Sequence, residues 1–446
     1  MPLELARSTQ GRRNLACQSR PWREVARRQP GLAMLCWMSL LCLSLQACAS
    51  ASTVVPPLRD HPRMHTLSPS ALDARLSQAV APPGYLGVVA LIADDHDVLY
   101  QRAFGASDLQ RRHALATDAI FRLYSMTKPI TSAAVLMLAD EGRLRLDDPV
   151  SRYLPAFADV QVLESDGRLR APARAVTLHH LLTHTSGLAI GEGPATRLRE
   201  QADPEAADDL AGYAARLSRV PLAADPGTVF AYDGAATQLL SRIVEVVSGQ
   251  SLGAFFNERF FVPLGMRDTG FEVPLAQRHR VVDITTFDNG SLRIADGPSA
   301  STPGAALNAY QSGAGGLYST AADYLRFCRM LLAGGTLDGQ RYLQPQTVHA
   351  MMQNQLGHLA QPSTTTSEHE GFGFGLSVQL DPAARGRLGP PGQVGWSGAA
   401  STWFVIDPER HLIAILLAQH LPRDVAGDLP RLSTPFYNLV QQSVSP

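Results

Sequence analysis

The sequence predicts an α/β chain of the α+β type. One antiparallel sheet is assembled from both chain ends and flanked by helices, with a mainly helical lobe inserted between them. Three observations predict it. Apolar, β-branched runs come as a pair near the start, over 86–93 and 97–104. A second pair lies near the end, over 403–406 and 411–418. Between the pairs, about 145–300 reads mostly as helix and loop, with one clear amphipathic stripe.

Residues 1–47 read as a signal peptide of the lipoprotein type rather than as folded protein. Seven arginines (Arg7, Arg12, Arg13, Arg20, Arg23, Arg27, Arg28) precede an apolar run over 31–45. That run is short for a membrane span and right for a signal-peptide core. It ends at Leu45-Gln46-Ala47-Cys48, which resembles a lipobox, so Cys48 is the expected lipidation site. Gln46 is not a favoured residue there, and plain secretion is the alternative. The expected location is therefore periplasmic or cell-envelope, with the lipid on Cys48 as the one membrane contact. Residues 48–67, rich in Ala, Ser, Thr and Pro, read as a tether, and 68–443 as the domain.

The body of the chain excludes several classes. Beyond the leader the charge is 32 basic against 38 acidic residues, which gives no reason to expect nucleic acid as a partner. Cys17, Cys36 and Cys42 fall in the leader and Cys48 at its end, so Cys328 alone remains and no disulfide framework can form. No internal repeat and no second apolar span is present.

In order, Ser68-Pro69 opens a helix carrying Leu72, Leu76 and Val80 on one side, and Pro82-Pro83-Gly84 stops it. The polar turn Asp94-Asp95-His96 joins the first two strands as a hairpin. A helix then runs from just after Ser125 to about Glu141. Pro129 is tolerated only because first-turn amides have no intrahelical partner to lose. In a helix over 235–247, Ala236, Leu239, Leu240, Ile243, Val246 and Val247 form an apolar stripe, with Tyr232 just ahead of it. A polar loop follows at 361–370. Asp407-Pro408-Glu409-Arg410 turns between the last two strands, and a helix over about 431–443 closes the chain.

Lys128 is the one lysine among 39 basic residues, and it stands in Ser125-Met126-Thr127-Lys128. Arginine supplies charge anywhere but does not release its proton at workable pH, whereas a buried lysine does. Ser125 at a helix start exposes its oxygen and aims its N–H at a developing oxyanion. Lys128, one turn on, shares that face. Lowering a lysine from about 10.4 to near 7 takes roughly three pK units, or about 4 kcal/mol. Alternatively, a charged Lys128 lowers a neighbouring tyrosine and the phenolate is the base; these titrations are coupled.

Ser125-Met126-Thr127-Lys128, Tyr232-Asp233-Gly234 and Trp396-Ser397-Gly398 resemble, in order and spacing, the motifs of the penicillin-recognising serine hydrolases. The similarity is to the class C β-lactamase and D-alanyl-D-alanine carboxypeptidase group, and most closely to family VIII carboxylesterases. Supporting stretches are 142–155 (GRLRLDDPVSRYLP), 181–188 (LLTHTSGL), 263–271 (PLGMRDTGF), 315–330 (GGLYSTAADYLRFCRM) and 395–408 (GWSGAASTWFVIDP). The resemblance spans about 70–440 and implies a β-lactamase-like fold. It implies Ser125 as acyl-forming nucleophile and Lys128 with Tyr232 as the base system. Trp396, Ser397 and Gly398 would edge the site, and the N–H groups of Ser125 and Ala399 would form the oxyanion hole. No cofactor or metal is implied.

Two departures bear on substrate. The lactamase and peptidase pattern has asparagine where Gly234 stands, and lysine or histidine where Trp396 stands. Both losses remove groups that would hold the amide and carboxylate of a penicillin-like or peptide substrate, which predicts a laxer, more apolar pocket. Hydrolysis of small, short-acyl esters is expected. A D,D-peptidase or weak β-lactamase is the alternative enzyme, and a cell-envelope binding protein with a degenerate site the alternative of another class. Asp233 is expected to point outward.

Other signals read as structural. Gly395-Trp396-Ser397-Gly398-Ala399 approaches a nucleophile elbow but lies in a strand context, so Ser397 is not read as a nucleophile. His179, His180 and His184 cluster without HExxH or a completing carboxylate and read as capping or packing. Ser186 reads as a turn residue. Tyr124 is carried as a pocket residue, with core packing as its alternative. Cys328 reads as buried and inert.

Overall fold

The first hairpin and the last one lie side by side in the computed structural model, which describes residues 68–188, 193–359, 368–423 and 427–444. The leader, the tether with Cys48 and most of the 361–370 loop lie outside the described residues. Strands β1 (Gly87–Ala93) and β2 (Val98–Gly105) form the early hairpin. Strands β3 (Glu370–Phe372), β4 (Ser377–Gln379), β5 (Val394–Ser397), β6 (Trp403–Asp407) and β7 (Leu412–Ala418) come from the late part of the chain. They join in the order β3-β4-β5-β6-β7-β1-β2, all neighbours antiparallel. The seam between the two chain ends is β1 on β7, with Val88 opposite Ala418 and Ala93 opposite Ile413.

Both β1 and β7 are buried at every position, because helices cover both faces of the sheet. That is why their sequences read as continuous apolar runs rather than as alternation. Val88, Ala90 and Ile92 pack with Leu72 and Leu76 of α1 (Pro69–Val80) and with Phe436 and Val440 of the terminal helix Ser433–Ser443. Val89 and Leu91 face the larger cluster, shared with α2 (Lys128–Asp140) and α3 (Gly234–Ser248). Each fully buried valine, leucine or isoleucine among them is worth about 1.5–3 kcal/mol relative to exposure.

Helix α2 is buried from Lys128 through Leu138, so it is the central helix and not a surface one. Helix α3 is the amphipathic stripe of the sequence, closed by Gly249 at φ 77°. Its start corrects one expectation. Asp233 does not point out to solvent: it is 7% exposed and caps α3, its Oδ1 accepting the Ala236 N–H at 3.0 Å. The preference of aspartate for the position before a helix decides its direction. Burial pushes its carboxyl up, opposed by the Arg199 charge and the Ala236 and Ala235 amides. Cys328 is fully buried on α4 (Ala321–Leu332), and burial pushes its thiol well up.

Candidate active site

The segment bearing Ser125 is made by a sharp change of direction. The two-residue strand Phe121–Arg122 pairs with Tyr318–Ser319. Tyr124 then takes φ 47°, a left-handed conformation that costs a non-glycine residue free energy and recurs at functional sites. A 3₁₀ turn over Tyr124–Thr127 leads into α2 at Lys128. Three side chains clamp this turn to the 312–317 loop and to α4. Thr127 Oγ1 accepts the Leu317 N–H at 3.2 Å, Thr131 donates to the Gly313 carbonyl at 2.7 Å, and the Tyr324 hydroxyl donates to the Met126 carbonyl at 2.9 Å. Gly313 is needed by close approach, since a Cβ there would lie 2.1 Å from Ser241 Oγ.

Lys128 is 4% exposed. Its Nζ donates to the Ala314 carbonyl at 2.7 Å and is hydrogen bonded to Ser125 Oγ at 3.1 Å. It also lies 5.0 Å from the centre of the Tyr232 ring. No carboxylate pairs with it among the described salt bridges. The arrangement places a buried amine in hydrogen-bond reach of a hydroxyl, which is the geometry proton removal from serine requires.

Tyr232 closes the other side. Trp396 Nε1–H donates to the Tyr232 oxygen at 3.1 Å, and the two rings lie 4.8 Å apart. An indole N–H donates only, so the tyrosine oxygen is the acceptor in this bond. His184 stands behind, its ring 4.7 Å from Tyr232 and 5.2 Å from Phe372. The His184 carbonyl accepts the Ala231 N–H at 2.8 Å, and its Nδ1 accepts the Asp233 N–H at 3.4 Å. His184 therefore holds the residues on both sides of Tyr232. Its sequence signal was the 181–188 stretch, which carried the resemblance without showing this contact. His180 completes a capping box with Thr177, and no group of described residues is placed to hold a metal ion.

Burial, reinforced by the Lys128 charge, lowers His184 from 6.5 to about 3. Unfolded chain takes up that proton near pH 6.5 while the folded chain does not. Below 6.5 the unfolded state binds more protons, and stability falls as the pH falls. Between pH 7.5 and 5.0 this group alone is expected to cost on the order of 2 kcal/mol. Urea unfolding at those two pH values should therefore show a steeper acid loss in wild type than in His184→Gln. Equal losses would contradict the neutral, buried state assigned to this histidine.

Trp396, on β5, is opposite Phe404 of β6. Strand β4 pairs only with Val394 and Gly395 of β5, so the edge from Trp396 onward has no β4 partner. Gly398 comes so close to the Ser125 segment that a Cβ would lie 2.2 Å from both the Leu123 carbonyl and Thr402 Oγ1. Among the described residues, the Ala399 N–H donates to no backbone carbonyl. Gly234 is different: a Cβ there would meet only Ala314 Cβ at 3.7 Å, an ordinary contact. Neither φ nor packing demands glycine at that position, and the missing side chain leaves room beside the carbonyl that Lys128 binds.

Ser125, Tyr232, Trp396, Ser397, Gly398 and Ala399 all line one cavity of about 680 Å³. Tyr124 is not among its lining residues. It packs instead against Ile284, Ala295, Ala300 and Ala400, and burial pushes its hydroxyl up. The expectation of an apolar pocket fits part of the lining, which includes Tyr232, Trp396, Trp403, Leu421 and Leu432. The same lining carries Arg385, Arg387 and Arg431, with Glu370 ion-paired to Arg385. Burial and the neighbouring Arg385 charge lower Arg387. These arginines are scattered over 385–431 and carried no motif in the sequence.

Known proteins share the family and the fold. The family model described as Beta-lactamase matches residues 72–433. Protein Rv1367c of Mycobacterium tuberculosis (strain ATCC 25618 / H37Rv) is 37% identical over 355 residues, covering 75% of this chain and 86% of its own. Esterase EstB of Burkholderia gladioli is 34% identical over 381 residues, covering 80% and 92%. Among solved structures, EstCE1, a hydrolase with promiscuous acyltransferase activity, superposes with a TM-score of 0.71 at 26% identity, covering 83% of this chain and 97% of its own.

Proposed function

The chain belongs to the Beta-lactamase family of hydrolases, and within it we propose a serine carboxylesterase acting on small esters through an acyl-enzyme on Ser125. The observation that carries this reading is the buried Lys128 Nζ, 3.1 Å from the Oγ of Ser125, which lines a cavity together with Tyr232 and Trp396.

In the proposed reaction Ser125 Oγ attacks the ester carbonyl carbon as its proton passes to the Lys128–Tyr232 pair. Throughout, Lys128 keeps its bond to the Ala314 carbonyl, which holds its Nζ beside the serine hydroxyl. Negative charge develops on the carbonyl oxygen, against the Ser125 and Ala399 N–H groups; one such donor is typically worth about 2.7–4 kcal/mol of barrier. The C–O bond to the alcohol breaks, and the leaving oxygen takes the proton back. Water then repeats the sequence on the acyl-enzyme, releasing the acid and restoring Ser125.

Ester is favoured over β-lactam or peptide because of what Trp396 and Gly234 replace. An indole offers one N–H, and that N–H is occupied by Tyr232. It cannot supply the cationic contact of a lysine or histidine to a substrate carboxylate. The named esterase relative supports the same choice.

The test offers purified protein a short-chain nitrophenyl ester, a chromogenic cephalosporin and a serine-directed phosphonate. Ester turnover with covalent labelling is expected, and cephalosporin turnover at least about 100-fold slower in kcat/KM. Fast cephalosporin turnover without ester turnover would instead support the lactamase or peptidase reading. No labelling by the phosphonate would support the binding-protein reading.

A further inference from the structure

We infer that Gln419 is a positioning residue that fixes the spacing between the Ser125 and Ala399 amides, the two proposed oxyanion donors; the inference rests on the esterase reading above. Strand β7 ends at Ala418, and Gln419 follows it, 3% exposed. Its side-chain Oε1 accepts the Arg122 N–H at 3.0 Å, and its Nε2 donates to the Arg122 carbonyl at 3.2 Å. Nε2 also donates to the Ala418 carbonyl at 2.8 Å. One carboxamide thus gives Arg122 the paired donor and acceptor that a neighbouring strand would give. Arg122 lies three residues before Ser125, and its own guanidinium is engaged elsewhere, with the Gly316 and Ala305 carbonyls and Tyr318.

The same stretch holds the other donor. The His420 N–H donates to the Ala400 carbonyl at 3.1 Å, and the His420 carbonyl accepts from Ser401 Oγ at 2.9 Å. Ala400 is the residue after Ala399. Ser401 sits at φ 63°, so that turn is held in a conformation it would not choose alone. The Gln419 backbone is itself fixed, its carbonyl accepting from the Thr285 N–H at 2.9 Å and from Thr285 Oγ1 at 3.0 Å. A third tie runs directly between the two sides, Thr402 Oγ1 donating to the Leu123 carbonyl at 3.1 Å. The dipeptide Gln419-His420 therefore grips the Ser125 segment with a side chain and the Ala399 turn with its backbone. Because oxyanion stabilisation depends on donors held in place before the charge forms, loosening this grip acts on the transition state more than on substrate binding.

Gln419→Met keeps the length and removes both bonds to Arg122. Gln419→Glu keeps an acceptor and loses the donor, and serves where the methionine variant folds poorly. Each is assayed with the nitrophenyl ester, and active sites are counted by phosphonate labelling so that kcat refers to competent molecules. The expected result is a fall in kcat per labelled site of about 10- to 100-fold, a KM within about twofold, and a matching loss of affinity for a boronate that mimics the tetrahedral state. A purely structural glutamine would lower the labelled fraction and leave kcat per site unchanged; that result overturns the inference, as does an equal rise in KM. A wild-type chain that hydrolyses no ester and takes no label overturns the esterase reading and this inference with it. Labelled, active wild type with unaltered variants overturns this inference alone.

Discussion

Lys128→Arg is expected to lower ester turnover by about 10³-fold while the protein still folds. Arginine keeps the charge, and a guanidinium can still reach carbonyls such as that of Ala314. It does not give up its proton at workable pH, and its planar fork does not fit a site that holds one nitrogen 2.7 Å from a carbonyl and 3.1 Å from a hydroxyl. If Lys128 takes the serine proton, the whole general-base contribution disappears, typically 10²- to 10⁴-fold. Lys128 is 4% exposed, so the larger head also strains its surroundings. Lys128→Met, which removes the titrating group without adding bulk, separates the two effects. Thermal melting of both variants alongside kcat and KM decides the matter. Near-normal kcat in Lys128→Arg would reduce Lys128 to a source of positive charge and move the base role to Tyr232.

Ser125→Ala has the largest expected effect, a loss of roughly 10⁴- to 10⁶-fold in kcat. The substitution leaves the 3₁₀ turn, the Lys128 bond to Ala314 and both backbone amides of the proposed oxyanion hole in place. Stability should change little, because Ser125 is only half-buried and its hydroxyl has Lys128 as its one described side-chain partner. The residual rate should reflect the remaining oxyanion donors and substrate positioning. Substantial ester turnover surviving the change would remove Ser125 from the mechanism.

Much of this was legible in the sequence, for identifiable reasons. The sheet was legible because β1 and β7 are covered on both faces and so read as unbroken apolar runs. The start of α2 was legible because Pro129 fits only a first turn. Ser125, Lys128, Tyr232 and Trp396 were legible because each falls in a short motif, and they line or border one cavity. The direction of Asp233 was not legible: it was expected to point outward, whereas the helix that starts after it needed a cap. Gln419 could not be found at all. Its contact with Arg122 spans 297 positions and pairs a side chain with a backbone, which leaves no periodicity and no motif. The arginines of the cavity escaped for the same reason, since they come from separate segments and share one cavity only in the folded chain.

The most direct measurement is the mass of the protein quenched within the first turnovers of a nitrophenyl ester, followed by identification of the modified peptide. The expected result is one acyl group per chain, carried by the peptide that holds Ser125, and no adduct in Ser125→Ala. An adduct on Ser397, an adduct that persists in Ser125→Ala, or ester turnover with no covalent species under trapping conditions would contradict an acyl-enzyme on Ser125.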